Sequence, residues 1–486
     1  MLAAMLALTR GVVVLAVVGS LASCRKESPP EATSQRPTEQ AEPVELLVAY
    51  SSEKKAWFEE AVPAFQATNP KTASGKPIKI TAKSFGSGEA STAILDGTFK
   101  AHVYSPASAA YLALLNQAWM SAPNSPHGRP LAPAGEPLVL SPIVIAMWKP
   151  MAEALGWPTK DIGWKDIIKV SKDPKGWGTY GHAEWGSFKL GHTHPEFSNS
   201  GFLAVLAEAF AASGKTRGMT RADLDDTKTQ EFIGAIENAV VHYGKSTGLF
   251  TDQMLERGPA YMSACVTYEN LVIESYAKPA TAPFPLVAVY PVEGTFWSDH
   301  PYAVLDAEWV GADQKAAAQQ FLAFLKTKPM QQRALGLGFR PGDATIATTA
   351  PIDVAHGVDP TQPQTLLEVP PGDVLAALLE VWRKQKKTAE VMIVFDRSGS
   401  MQGEPMTEAK AGARAFLEGL GDRDSVGIMF FDNHVPPAPA PELLGKARAR
   451  LVKQVDGVFA DGGTSLYEAV AAAYDAMLAR ANKEPG

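Results

Sequence analysis

Two cysteines in 486 residues exclude a disulfide-stapled scaffold, and no C-x-x-C pair is present for redox or zinc chemistry. Basic residues are not in excess: 45 Lys and Arg stand against 52 Asp and Glu, a net charge of −7, so the chain lacks the electrostatic footprint of a nucleic-acid binder. No H-E-x-x-H, Walker loop or G-x-S-x-G occurs, and no enzymatic activity is expected. Repeats of solenoid period are also missing. The apolar run Gly11–Val18 is too short for a membrane-spanning helix, which needs about 20 apolar residues. What remains is ordinary globular material, 46% apolar and 20% charged, long enough for two or three domains.

The beginning of the chain reads as an export signal. Arg10 supplies positive charge, Gly11–Val18 the apolar core, and Leu21-Ala22-Ser23-Cys24 follows. That tetrapeptide resembles the bacterial lipobox, which implies cleavage after residue 23, a diacylated Cys24 as lipid attachment, and contact with a membrane. Arg25 rather than Asp at the next position leans, by the same resemblance, toward the outer membrane of a Gram-negative envelope. Residues 24–43, rich in Pro, Glu, Gln, Ser and Thr, read as a disordered tether. With Cys24 lipidated, Cys265 would be the sole thiol, and its apolar surroundings suit a buried small residue better than a nucleophile.

The densest chemistry lies near the other end. Val391–Phe395 reads as a buried strand and leads into Asp396-Arg397-Ser398-Gly399-Ser400. One carboxylate and two hydroxyls therefore sit past the carboxyl end of a strand, where open α/β sheets bind ligands. Helix 405–419, strand 426–431, a helix within 442–455 and a helix over 466–480 follow, and this alternation argues a parallel, doubly wound sheet. Asp461-Gly462-Gly463-Thr464 precedes the last helix. Hard oxygen donors suit Mg²⁺, Ca²⁺ or Mn²⁺ rather than zinc; turn formation and helix capping are the plainer use of the same residues. The pattern resembles the metal-ion-dependent adhesion site of von Willebrand factor type A domains. The resemblance implies Asp396, Ser398, Ser400 and Thr464 as cation ligands and an acidic group of a partner protein as the last ligand. Such domains continue through a strand usually ending in T-D-G, whose Asp completes the site, so residues 388–486 are expected to form a truncated type A domain.

Residues 44–387 form the body. Strand 44–50 ends in Ser51-Ser52 before a helix from about Lys54, and strand 78–83 runs into Ser84–Ser91 before another helix. Such loops aim N–H groups and hydroxyls into a cleft and favour anions at the helix N-terminus. Tyr104-Ser105-Pro106-Ala107-Ser108, Ser141–Met147, His194–Gly201, Tyr290–Phe296, His300–Val304 and Gly338–Pro341 follow in order. Together these resemble the ligand loops and crossing strands of a two-lobed periplasmic solute-binding protein. The resemblance implies a small solute, an oxyanion among the candidates, held by Ser51, Ser52, Ser87, Gly88, Ser105, Ser198, Ser200 and Tyr268. Any one of these serines taken alone serves equally well as a helix cap. Ser51-x-x-Lys54 matches one motif of penicillin-recognising enzymes, but the partner S-D-N and K-T-G motifs are missing and a helix start explains both residues. His192 and His194 flank Thr193 and offer two imidazoles, with no third metal ligand set by spacing.

A helix over 374–387 ends in Lys384-Gln385-Lys386-Lys387 and leaves about two residues before the type A strand, too few for a flexible linker. The expected fold is α/β: a two-lobed periplasmic-binding-protein fold, then an incomplete Rossmann-like type A domain. The expected function is a membrane-anchored solute-binding protein that contacts a protein partner through a cation. The rival expectations are the binding component of an ABC importer, and an envelope adhesin or scaffold with no small ligand.

Overall fold

A computed structural model describes residues 42–122, 128–278 and 282–481. The export signal, Cys24 and most of the tether lie outside the described residues. None of the described helices is long and apolar enough to cross a membrane.

The first lobe is a five-stranded sheet in the order 78–85, 44–51, 103–105, 301–304, 136–137. Val44–Ser51 runs parallel to Ile78–Phe85 over its whole length, Val44 opposite Ile78 and Ser51 opposite Phe85. Leu46 and Val48 alternate into the core at one end of this strand. The helix Lys55–Ala67 lays Trp57, Phe58, Ala61 and Phe65 on the sheet, the spacing of one helical face.

The second lobe is organised by one long strand, Val139–Trp148, which pairs with Ala264–Tyr268, Leu286–Val289, Trp297–Ser298 and Arg340–Pro341. Leu190–Thr193 and Val240–Gly244 extend the sheet beyond Ala264–Tyr268. The chain passes out through Glu136–Trp148 and back through Trp297–Val304, so two neighbouring segments join the lobes. The core of the second lobe is continuous with Ala49, Phe85 and Tyr104 of the first.

The helix Gly372–Gln385 rests on helix Ala109–Ser121 of the first lobe and on helices Asn199–Ser213 and Thr227–Glu237 of the second. Val374, Leu375, Leu378, Val381 and Trp382 form its buried stripe. Four residues then lead to strand Glu390–Asp396. The buried carboxylate of Asp424 fastens that junction: it accepts from Lys386 Nζ at 3.0 Å, from Ala389 N at 2.8 Å and from Gly421 N at 2.8 Å.

Strand Glu390–Asp396 is parallel to Ser425–Phe431, with Asp396 opposite Phe431. The third strand, Glu442–Leu443, is two residues long and antiparallel, where the helical alternation led us to expect parallel pairing alone. Strand 390–396 was expected to be buried; only Phe395 is. Val470, Tyr474 and Leu478 of the last helix are likewise exposed.

Candidate functional site

The loops expected to bind a solute do converge, and they converge on each other. Gly88 N and Glu89 N both donate to Phe197 O, at 3.0 and 3.2 Å. Tyr111 OH donates to Pro195 O at 2.5 Å. This close approach requires glycine: a Cβ at Gly88 would lie 1.9 Å from Glu196 O, and one at Gly86 would lie 2.3 Å from Phe197 O. The lobes are therefore closed. Cavities of about 520 and 730 Å³ flank the contact and share Phe85, Glu89 and Lys245 in their walls. Ser52, half-buried, lines the smaller one with Glu53, Lys245 and Asp252.

Beneath the contact lies a polar layer sealed from solvent. Lys54, fully buried, donates to Ser51 Oγ at 2.7 Å and to Ser105 O and Pro106 O, both at 3.0 Å. Ser51 donates in turn to the Glu53 carboxylate. Glu53 also faces His300 Nδ1 at 3.1 Å. His300 has a φ of +41°, a left-handed conformation that non-glycine residues seldom adopt, so the backbone is strained where it presents this imidazole.

Burial pushes the Lys54 ammonium down to about 8, although the charges of Glu53 and Asp299 oppose the shift. Burial acts to raise the Glu53 carboxyl, but the hydrogen bond with His300 and the charge of Lys54 outweigh it and hold the group below its ordinary value. Burial, with Lys54 nearby, lowers His300 and keeps it neutral.

A second set of side chains crosses between the lobes. Ser108 Oγ donates to Asn199 Oδ1 at 2.6 Å, and Asn199 Nδ2 donates to Tyr268 OH at 3.0 Å and to Ser298 Oγ at 3.4 Å. The Tyr268 ring meets His300 edge-on at 5.8 Å, which joins the two sets. Deeper in the second lobe, Thr247 Oγ1 lies 3.0 Å from Ser198 Oγ and 2.9 Å from Ser200 Oγ. Ser200 Oγ is also 2.8 Å from Thr193 Oγ1.

The structure thus places Ser51, Ser87, Gly88, Ser105, Ser198, Ser200 and Tyr268 in the closed interface, all buried. Most of their polar groups are engaged with protein; Ser87 Oγ, for example, accepts from Ala107 N at 3.1 Å. Four buried polar atoms around this layer have no partner among the described residues: Ser105 Oγ, Ser246 Oγ, Asn270 Nδ2 and His300 Nε2. Reading Lys54 as a mere helix start underestimated it. Glu53 and Thr247 were missed, and Asn199 and His300 fell inside the segments His194–Gly201 and His300–Val304 without being named as site residues, since nothing local to Lys54 points to a histidine 246 positions away. The His192–Thr193–His194 pair does not act as a unit. His192 is fully buried against Glu237, while His194 stacks on Phe197 at 4.4 Å and meets Trp382 edge-on.

In the second domain, Asp396 Oδ1 accepts from Ser398 N at 2.7 Å, and the Ser398 and Ser400 hydroxyls are 3.0 Å apart. Arg397 O accepts from Asp461 N at 2.8 Å, and Gly399 N donates to Gly462 O at 2.9 Å, so residues 461–462 lie against the first loop. Gly462 is left-handed, with φ +80°, and carries the turn. Thr464 is exposed. Asp432, the residue after the Phe431 that pairs with Asp396, forms a 2.5 Å ion pair with Arg397 and is held below its ordinary value, mainly by the His434 N–H. The donors gathered here are all oxygen, with convergent hydroxyls next to a carboxylate. That set fits Mg²⁺, Ca²⁺ or Mn²⁺.

A family model described as bacterial extracellular solute-binding protein matches residues 46–340, more than half of the chain. The chain belongs to that family. A von Willebrand factor type A domain model matches residues 391–486. Solved structures similar to this solute-binding protein include one from Actinobacillus pleuropneumoniae with fructose-6-phosphate bound. It is 16% identical, with 71% of this chain and 99% of that chain covered and a TM-score of 0.49. A periplasmic thiamin binding protein is 14% identical, with 72% and 98% covered and a TM-score of 0.49. Iron-bound HitA of Pseudomonas aeruginosa is 14% identical, with 70% and 99% covered and a TM-score of 0.44. No curated protein matches the chain.

Proposed function

We propose that this chain is a lipid-anchored envelope protein that captures a small polar solute between its lobes and reports capture to a protein partner through the type A domain. The observation that carries the first half is the sealed polar layer, where both lobes contribute and Ser105 Oγ, Ser246 Oγ, Asn270 Nδ2 and His300 Nε2 have no partner among the described residues. Unsatisfied buried donors and acceptors are costly, and a polar ligand would relieve them. The Lys54 ammonium is not free to balance an anion, because protein oxygens take its three hydrogen bonds and Glu53 its charge. Recognition would therefore rest on hydroxyl, amide and imidazole groups.

In the type A domain, Asp396, Ser398, Ser400 and Thr464 would hold Mg²⁺ or a similar hard ion. A bound ion of this kind supplies a site for a partner's carboxylate. The chain's own contribution is the positioning: the Ser398 N–H orients Asp396, and the Gly399–Gly462 bond brings the second loop in. Coupling between the halves would run along helix Gly372–Gln385, which touches both lobes and ends at the Lys386–Asp424 clasp. Lobe opening must change the contacts of that helix, which gives the differential interaction that any shift of equilibrium requires.

The test is a melting screen of the full chain followed by tryptophan fluorescence. All ten tryptophans lie before residue 383, so this signal reports the solute-binding domain alone. The panel holds oxyanions, amino acids and sugars. A ligand at a hundredfold excess over Kd stabilises the domain by about 2.7 kcal/mol. A shift with one class supports capture and names it. A cooperative melt unmoved by any class overturns it and favours a scaffold whose lobes are permanently closed, the reading that the direct Gly88–Phe197 contact would then support.

A further inference from the structure

His192, Glu208 and Glu237 meet inside the second lobe, behind the polar layer, and none of them is exposed. They come from strand Leu190–Thr193, helix Asn199–Ser213 and the last residue of helix Thr227–Glu237. One donor atom from each lies within 4.8 Å of the other two. His192 Nε2 is 3.0 Å from Glu237 Oε1, while His192 Nδ1 is 2.7 Å from Thr193 O. Tyr243 OH donates to Glu237 Oε2 at 2.6 Å. Glu208 is the anomaly, for neither of its oxygens has a hydrogen-bond partner among the described residues.

A protonated imidazole would explain the contact with Glu237, but it leaves Glu208 buried and unpaired. Were both carboxylates ionised, one imidazolium would leave a net negative charge in an apolar interior, where an unbalanced charge is expensive; burial, with Glu237 nearby, accordingly holds the Glu208 carboxyl well above its usual range, and its oxygens still find no partner among the described residues. A divalent ion with a neutral imidazole closes both accounts. Donors bound at about 2.0–2.2 Å stand roughly 3–4 Å apart, which the His192–Glu237 distance matches. The surroundings are also those of a metal ligand set: the second ring nitrogen of a ligating histidine usually donates to a carbonyl, and ligating carboxylates are themselves hydrogen-bonded. Thr193 O and Tyr243 OH fill these roles.

We propose that His192, Glu208 and Glu237 bind a divalent transition ion of the Zn²⁺ class and that this ion fastens strand Leu190–Thr193 to the two helices behind it. An imidazole with two carboxylates favours such an ion over Mg²⁺ or Ca²⁺. The site would support the solute loop from behind, because Thr193 Oγ1 accepts from Gly201 N at 2.8 Å and meets Ser200.

The test uses the full chain stripped with a chelator, with Asp396→Ala as a second sample so that the type A site cannot contribute. Co²⁺ serves as a visible probe and Zn²⁺ as its competitor. The expected result is one Co²⁺ per chain in the Asp396→Ala sample, with the same visible absorption bands in both samples, displaced by Zn²⁺, together with a higher melting temperature in the tryptophan signal. Glu208→Gln should melt cooperatively without metal and bind Co²⁺ roughly 100-fold more weakly or worse; Tyr243→Phe keeps all three donors and should bind about 10-fold more weakly. Should Glu208→Gln fail to fold, the Tyr243→Phe result and the Co²⁺ bands of the stripped chain decide. Absence of Co²⁺ bands in the Asp396→Ala chain, or equal affinity in a folded Glu208→Gln, overturns the proposal.

Discussion

Glu53→Gln is the sharpest probe of the sealed layer. The change keeps side-chain volume and removes one charge, which leaves the Lys54 ammonium buried with Asp299 as its other acidic influence. Breaking a buried pair from one side typically costs about 3–5 kcal/mol, since the remaining charge stays desolvated. The lowered carboxyl of Glu53 gives the same sign: its ionised form is favoured in the folded state, so neutralising it forfeits stability at pH 7. Lys54 adds a pH signature. Its folded value of about 8 lies below its ordinary 10.5, so the unfolded chain holds more protons between those values and stability rises with pH across that window. The orphaned ammonium of Glu53→Gln should lose its proton more readily still, so the cost of the substitution should shrink between pH 7 and pH 9. Urea unfolding followed by tryptophan fluorescence measures both, with a midpoint shift of about 1 M or more expected at pH 7 for an m-value of about 3 kcal/mol/M. Glu53→Gln with Lys54→Met should recover at least about 2 kcal/mol relative to the sum of the single changes. A cost below about 1 kcal/mol at pH 7, or a cost unchanged at pH 9, would refute the reasoning.

Three further outcomes are expected. Gly88→Ala places a methyl group into Glu196 O and should hold the lobes apart, seen as a larger radius of gyration by small-angle scattering; an unchanged radius counts against the closed contact. Burial depresses His300, so the stability it contributes is present above about pH 6.5 and is lost as pH falls below that value. His300→Asn, which tolerates the left-handed backbone, should flatten that acid slope in a melting series from pH 7 to 5. Asp396→Ala should abolish Mg²⁺ binding in calorimetry while leaving the tryptophan-monitored melt within about 0.5 kcal/mol of the parent; retained Mg²⁺ binding would remove Asp396 from the ion's ligands.

Much of this protein is local in its signals. Val44–Ser51 and the helix that ends at Gln385 were legible because a strand repeats every two residues and a helix every 3.6, so the buried face is written in the local sequence; Val391–Phe395 was legible as a strand from its apolar run alone. The Ser-rich loops and Asp396-x-Ser398-x-Ser400 were legible for a similar reason: hydroxyls and carboxylates placed just after strands have few uses beyond turns, caps and ligands. Their order along the chain was enough to show the two-lobed fold and the type A domain, which the family models match at residues 46–340 and 391–486.

Tertiary structure alone decided how those groups are employed. His300 reaches Glu53, Asn199 reaches Ser108, and Glu208 and Glu237 reach His192 across 16 to 247 positions of chain, and no periodicity encodes such encounters. Burial then sets the chemistry. The same lysine that an exposed helix start would leave at its ordinary value is brought down to about 8, because removal from water penalises charge by an amount that depends on every atom around it. Sequence determines which side chains are available along each element; the packing of distant elements determines which of them lose their water, and therefore which must find a partner.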